Sequence, residues 1–195
     1  RQRQQVVDRG RVGISCGGVR EVAEVGGQPG PVAGRHRHRG LEVGPDGQLL
    51  VGGCDLADLA EEFGTPLFVY DEAHLRERCR EAMAAFDGRV AYASKAFLCR
   101  AMARLVHEEG MTIDVATGGE YHVARAAGVP AASLVMHGNN KSEAELDLAM
   151  RDGVGRIVVD SFVELDRIEA LVAGGAPSPA VLIRINPGIE VHTLD

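Results

Sequence analysis

The chain has 195 residues, a formal net charge of −7 and 45% hydrophobic residues. That is enough for one domain with a sizeable core, and no apolar run is long enough to span a membrane. With no secretory signal pattern either, the expectation is a cytoplasmic protein without a membrane partner. The charge is uneven. Residues 1–40 carry eight arginines against Asp8, Glu21 and Glu24, a net of +5, whereas residues 41–195 carry thirteen basic and twenty-five acidic side chains, a net of −12. An acidic body argues against nucleic acid as the main partner, which requires a basic face. The four cysteines (Cys16, Cys54, Cys79, Cys99) have neither metal-like nor disulfide-like spacing. Cys79 and Cys99 fall in helical patterns and read as small buried thiols.

Residues 1–40 hold nine glycines and the run Arg35-His36-Arg37-His38-Arg39, with no sustained period of 2 or 3.6. Such composition buries too little apolar surface to offset chain entropy. The expectation is a disordered or non-native leader. A basic nucleic-acid arm and a metal tract are weaker readings, since arginines between the histidines would repel a cation.

Order begins at Leu41. Gly44-Pro45-Asp46-Gly47 reads as a tight turn and Leu49-Leu50-Val51 as a short strand. Asp55 is placed to cap a helix running to Phe63, closed by Gly64. Leu67-Phe68-Val69-Tyr70 reads as a strand. Asp71 then caps a helix with Leu75, Cys79, Met83 and Phe86 on one face.

A repeat follows. Strand-like runs begin near Arg89, Thr112, Leu134, Arg156 and Ala180, at spacings of 23, 22, 22 and 24 residues. Between them lie helical stretches over about Leu98–Glu109, Gly118–Ala126, Glu143–Arg151 and Phe162–Val172. Thr117-x-x-Glu120, Ser142-x-x-Glu145 and Ser161-x-x-Glu164 read as capping boxes, and Gly110, Gly128, Gly153 and Gly174 as helix ends. Alternation this regular means βαβ units on a parallel sheet with right-handed connections. The short period favours a (β/α)-barrel over an open doubly wound sheet. No Gly-x-Gly-x-x-Gly follows the first strand, so a dinucleotide fold has no positive support.

Barrel enzymes build their sites at the C-terminal strand ends, and here those ends are polar. The first carries Lys95, in Ala91-Tyr92-Ala93-Ser94-Lys95-Ala96. A lysine where a half-buried strand turns into a helix loses hydration and must gain something in return. One reading is a solvated surface lysine. The other is an amine poised for Schiff-base formation, with a substrate or with pyridoxal phosphate, and the surrounding pattern favours it. The next units supply Asp114, His137 in His137-Gly138-Asn139-Asn140-Lys141, Asp160-Ser161, and Arg184 in Arg184-Ile185-Asn186-Pro187-Gly188. Capping explains Ser161 and Thr117 without function, but not Lys95, Asp114, His137 or Arg184. Asp114 and Arg184 are flanked by apolar residues and read as lying inside strands. They either form a structural ion pair or face a polar ligand beside Lys95.

These segments, with Phe63-Gly64-Thr65-Pro66-Leu67-Phe68-Val69-Tyr70-Asp71 and Asp114-Val115-Ala116-Thr117-Gly118-Gly119-Glu120, resemble the diaminopimelate decarboxylases, pyridoxal-phosphate enzymes of the alanine-racemase-like barrel class (fold type III). The resemblance runs from about Leu41 to His192. It implies that Lys95 is the catalytic residue and holds pyridoxal 5'-phosphate through its amine. Asp114, His137 and Arg184 would then line the cofactor pocket, with Arg184 matching a position near the cofactor ring and Asn139 close by. The implied substrate is a small amino acid, meso-2,6-diaminopimelate, decarboxylated to L-lysine and carbon dioxide, and the implied assembly is a homodimer.

The fold implied is a partial (β/α)8 TIM barrel, with residues 41–195 as the N-terminal part of the cofactor-binding domain. Five βα units are legible where a complete barrel has eight. The family's glycine-rich phosphate loop, the acid on the pyridine nitrogen and the C-terminal β-domain are not in the sequence, and Leu194-Asp195 departs from its pattern. An incomplete barrel leaves an open strand edge, so the expectation is that the 195-residue chain alone is poorly soluble and inactive. Tyr121, at a usually aliphatic position, is expected to alter packing only. Other readings are a decarboxylase of ornithine, arginine or a carboxylated polyamine such as carboxynorspermidine, a non-catalytic pyridoxal-phosphate-binding barrel protein, and a degenerate fragment. The His137–Lys141 segment and the Leu49–Phe63 lead-in favour the decarboxylase over the carrier.

Overall fold

The computed structural model describes residues 12–14, 41–87, 90–186 and 188. Most of the expected leader, including Cys16 and the Arg35–Arg39 run, lies outside the described residues, as do residues 191–195. The chain forms two units, Arg1–Arg78 and Cys79–Asp195.

In the first unit, β1 (Val12–Ile14) pairs antiparallel with β5 (Phe68–Tyr70). Strands β2 (Leu41–Val43), β3 (Leu49–Val51) and β4 (Cys54–Asp55) make an antiparallel meander. The expected turn joins the first two, with the Gly47 N–H donating to the Gly44 carbonyl at 3.0 Å. Helix α1 (Leu56–Phe63) starts where Asp55 accepts the Ala57 N–H at 2.7 Å and packs on the meander, with Leu59 buried. Asp71 caps helix α2 (Glu72–Ala85) by accepting the His74 N–H at 3.2 Å. The helix stops one residue before Phe86. That ring, expected on the buried face, falls in the following turn and is exposed.

The second unit is the repeat. Strands β6 (Ala91–Ala93), β7 (Thr112–Val115), β8 (Leu134–Met136), β9 (Arg156–Val159) and β10 (Val181–Ile183) form one parallel sheet. Their spatial order follows chain order. A doubly wound sheet reverses order at a switch point; this one does not, and it is a stretch of barrel wall. Helices α3 (Arg100–Glu108), α4 (Gly118–Ala126), α5 (Glu143–Asp152) and α6 (Phe162–Ala173) connect the strands.

Strand side chains alternate between faces. On one face Ile113, Val115, Leu134, Met136, Ile157 and Val159 are at most 2% exposed. Each such side chain contributes roughly 1.5–3 kcal/mol of burial. Val106, Ala124 and Leu146 on the connecting helices are fully buried as well. At the edge strand β10, Val181, Leu182 and Ile183 are exposed, as is Ile185 beyond it.

Four local expectations change. Cys99 is not inside a helix: it sits one residue before α3, where its Sγ accepts the Met102 N–H at 3.4 Å. The Thr117/Glu120 and Ser142/Glu145 capping boxes are complete, but the third is not. Ser161 caps α6, while Glu164 turns its carboxylate to the Asp160 N–H and to Lys141. Arg184 lies one residue past β10, although its N–H still reaches the Val159 carbonyl at 2.9 Å. Tyr121 does more than pack. Its hydroxyl donates to Asp152 at 2.6 Å and clamps α4 to α5, and burial together with that carboxylate pushes the phenol above its ordinary range.

Candidate active site

Lys95 lies in a single 3-10 turn, Ser94–Ala96, directly after β6. The Tyr92 hydroxyl donates to the Phe97 carbonyl at 2.7 Å and holds the chain as it leaves the turn. The turn packs against β7. Lys95 itself is exposed, and no described residue bonds its amine. The expected loss of hydration is therefore not found: the turn lifts the side chain clear of the strand. Ser94 beside it is 2% exposed, and its Oγ is buried without a hydrogen-bond partner.

The neighbouring strand brings the next candidate to the same level. Asp114 stands in register with Ala93 on β6 and Val135 on β8. Its Oδ2 is 3.1 Å from His137 Nδ1. A carboxylate oxygen only accepts, so Nδ1 carries the hydrogen. Asp114 Oδ1 is buried with no partner. His137 continues the β8 ladder, donating its N–H to the Val115 carbonyl at 2.7 Å. Gly138 follows with φ +94°, and a Cβ there would lie 2.6 Å from the Ala116 carbonyl oxygen. Only glycine lets this loop press so closely on the end of β7. Asn139 is exposed.

Arg184 reaches back across the sheet, its guanidinium 3.0 Å from Asp160 Oδ1. Asp114 and Arg184 thus do not pair with each other. Each has another partner, and the structural ion pair between them is not formed.

Sequence reasoning passed over Lys141. It is the largest fully buried side chain among the described residues, 1% exposed, with Nζ 2.9 Å from Glu164 Oε1. A signal was available: the chain contains nineteen arginines and only two lysines, Lys95 and Lys141. The helix starts are also tied together. Glu145 caps α5 and, through Oε1, accepts the Gly118 N–H of α4 at 2.7 Å. The Ser142 N–H and hydroxyl, followed by that Gly118 N–H, hold its carboxyl below the usual range. Among the described residues no three His, Cys, Asp or Glu side chains are grouped to hold a metal ion.

Residues 72–195 match the family model of the pyridoxal-binding domain of pyridoxal-dependent decarboxylases. The chain belongs to this family. It is 46% identical over 163 residues to the diaminopimelate decarboxylase of Bacillus methanolicus, covering 81% of this chain and 38% of that protein. Among solved structures it is similar to diaminopimelate decarboxylase from M. jannaschii in complex with L-lysine. The identity is 32% and the TM-score 0.69, over 77% of this chain and 36% of that one. It is also similar to the lysine/ornithine decarboxylase of Vibrio vulnificus complexed with putrescine. There the identity is 27% and the TM-score 0.60, over 67% of this chain and 35% of that one. The chain thus spans well under half the length of these relatives. Its sheet is five strands of the fold type III barrel.

The residues present fit a pyridoxal group in part. The rim offers an amine that no described residue bonds, an aspartate with one buried oxygen still lacking a partner among the described residues, and a histidine held by the same aspartate. No phosphate-binding loop is among the described residues.

Proposed function

We propose that this chain supplies the cofactor-anchoring side of a pyridoxal-phosphate-dependent decarboxylase acting on meso-2,6-diaminopimelate, with L-lysine and carbon dioxide as products. One observation carries the reading: Lys95 is exposed at a strand end with its amine bonded by no described residue, in the turn that packs against β7, the strand of Asp114. Bound there, pyridoxal phosphate supplies the electron sink that lets the substrate carboxylate leave. Lys95 would hold the cofactor through its amine. Asp114 orients the His137 ring through Nδ1, so that His137 faces the pocket in one tautomer. Arg184, fixed by Asp160, keeps a cation at the far side of the rim. The diaminopimelate substrate rests on the names of the more similar relatives. A decarboxylase of lysine or ornithine is the second reading, favoured by the Vibrio structure at lower identity.

The two-lysine composition gives a clean test. The chain is incubated with pyridoxal phosphate, reduced with borohydride and mapped by peptide mass spectrometry. The expected result is label on Lys95 and none on Lys141, abolished by Lys95→Ala. Label confined to the chain's N-terminal amine would overturn the assignment.

A further inference from the structure

Lys141 makes three contacts, and each belongs to a different element. Its Nζ donates to the Gly138 carbonyl of the loop after β8 at 2.5 Å and to the Val158 carbonyl of β9 at 2.7 Å. The third partner is Glu164 Oε1 of α6 at 2.9 Å. An ammonium has three donors, and all are used. Glu164 is 4% exposed, and its second oxygen accepts the Asp160 N–H at 3.0 Å. The Lys141 carbonyl in turn accepts from Arg167 of α6 at 2.9 Å.

Burying such a pair is a poor way to gain stability, because desolvation offsets the attraction and apolar residues would do as well. The choice of lysine points the same way. Arginine fills nineteen of the twenty-one Lys and Arg positions in this chain. Here three acceptors converge on one point, which suits a compact ammonium and not a planar fork.

What the pair does hold is the rim. On one side it fixes Gly138, the residue after His137, against β9. On the other it fixes the backbone of Asp160, whose carboxylate holds Arg184. One connected set of bonds therefore runs from the loop of His137 to Arg184.

We propose that Lys141 and Glu164 are positioning residues: the pair sets the His137–Asn140 loop and the Asp160–Arg184 contact in the arrangement that receives the cofactor. This rests on reading the rim as the pyridoxal phosphate pocket. The function of the pair is geometric, and neither side chain touches the reacting atoms.

The test separates position from stability. Three forms of the full chain are titrated with pyridoxal phosphate, with borohydride-fixed label on Lys95 as the readout: unaltered, Lys141→Met, and the double variant Lys141→Met/Glu164→Leu. The double variant replaces the pair by apolar side chains and recovers folding stability, followed by urea unfolding. It is expected nevertheless to need roughly tenfold or more pyridoxal phosphate for half-labelling, because the loop and Asp160 are no longer held. Half-labelling of a stable double variant at the unaltered concentration would overturn the role of the pair and leave the pocket reading intact. Absence of label on Lys95 in the unaltered chain would overturn the pocket reading, and the role of the pair with it.

Discussion

Lys95 and Lys141 both follow strands of the same parallel sheet, one after β6 and the other in the loop that leaves β8. The first is exposed, with no described residue bonded to its amine. The second is 1% exposed and saturated by two carbonyls and a carboxylate. A buried, paired ammonium is held to one geometry and cannot act as a nucleophile without leaving three acceptors unsatisfied. An exposed one is available but unoriented until something binds it. The contrast fits the anchoring role proposed for Lys95 and the positioning role proposed for Lys141.

The sharpest way to break the contrast is to remove one half of the buried pair. Lys141→Met leaves Glu164 charged and unpaired in the interior, a change that typically costs about 3–5 kcal/mol. Urea unfolding monitored by circular dichroism should show that loss. Lys95→Met, removing an exposed side chain that no described residue pairs, should stay within about 0.5 kcal/mol of the unaltered chain. If the two variants unfold together, the pair is hydrated and the distinction fails.

A smaller effect is expected from the loop that Lys141 holds. Gly138→Ala combines a positive φ of +94° with a Cβ 2.6 Å from the Ala116 carbonyl oxygen. Gly153, at φ +76°, has nothing within 4 Å of the point where a Cβ would stand and serves as the reference. Gly153→Ala should cost about 1 kcal/mol for backbone strain alone. Gly138→Ala should cost about 1–3 kcal/mol, because the loop must also move away from β7. Equal unfolding midpoints for the two variants would mean that the close approach at Gly138 carries no energy.

Much of the barrel wall was legible because its signals are local. Strand starts at 22–24 residue spacing, the Ser and Thr caps and the closing glycines each depend on a few adjacent residues, and α4 runs over Gly118–Ala126, as the sequence predicts. What was not legible depends on partners far apart in the chain. For Asp114 and Arg184, both charged residues among apolar neighbours, the sequence left an ion pair and a shared ligand as alternatives, and register gives Asp114 to His137 while the end of β9 gives Arg184 to Asp160. The Ser161-x-x-Glu164 spacing matched a capping box, but a buried lysine twenty-three residues earlier outcompetes the cap for the carboxylate. The desolvation argument raised for Lys95 is physically sound and holds at Lys141, which sequence alone treated as one letter of a motif.

The helix-start braces give the last and smallest contrast, between a capping glutamate that does its expected work and one that does not. Glu145 accepts the Ser142 and Gly118 N–H groups, and these bonds lower its proton affinity in the folded state below the unfolded reference of 4.5. A carboxyl lowered in this way contributes stability above the unfolded value, and the contribution is lost as pH falls through the folded value. Glu145→Gln should therefore be less stable than the unaltered chain at pH 7, by less than about 1 kcal/mol as for other caps. The gap should narrow as pH falls below the unfolded value and close once pH has passed through the lowered folded value, where the glutamate too is neutral. Asp152 is also lowered, chiefly by the Tyr121 hydroxyl, but it is present in both proteins and cancels in the difference. Urea midpoints of the pair between pH 7 and pH 3 make the measurement. A gap that stays constant with pH would show that Glu145 braces α4 and α5 by shape rather than by charge.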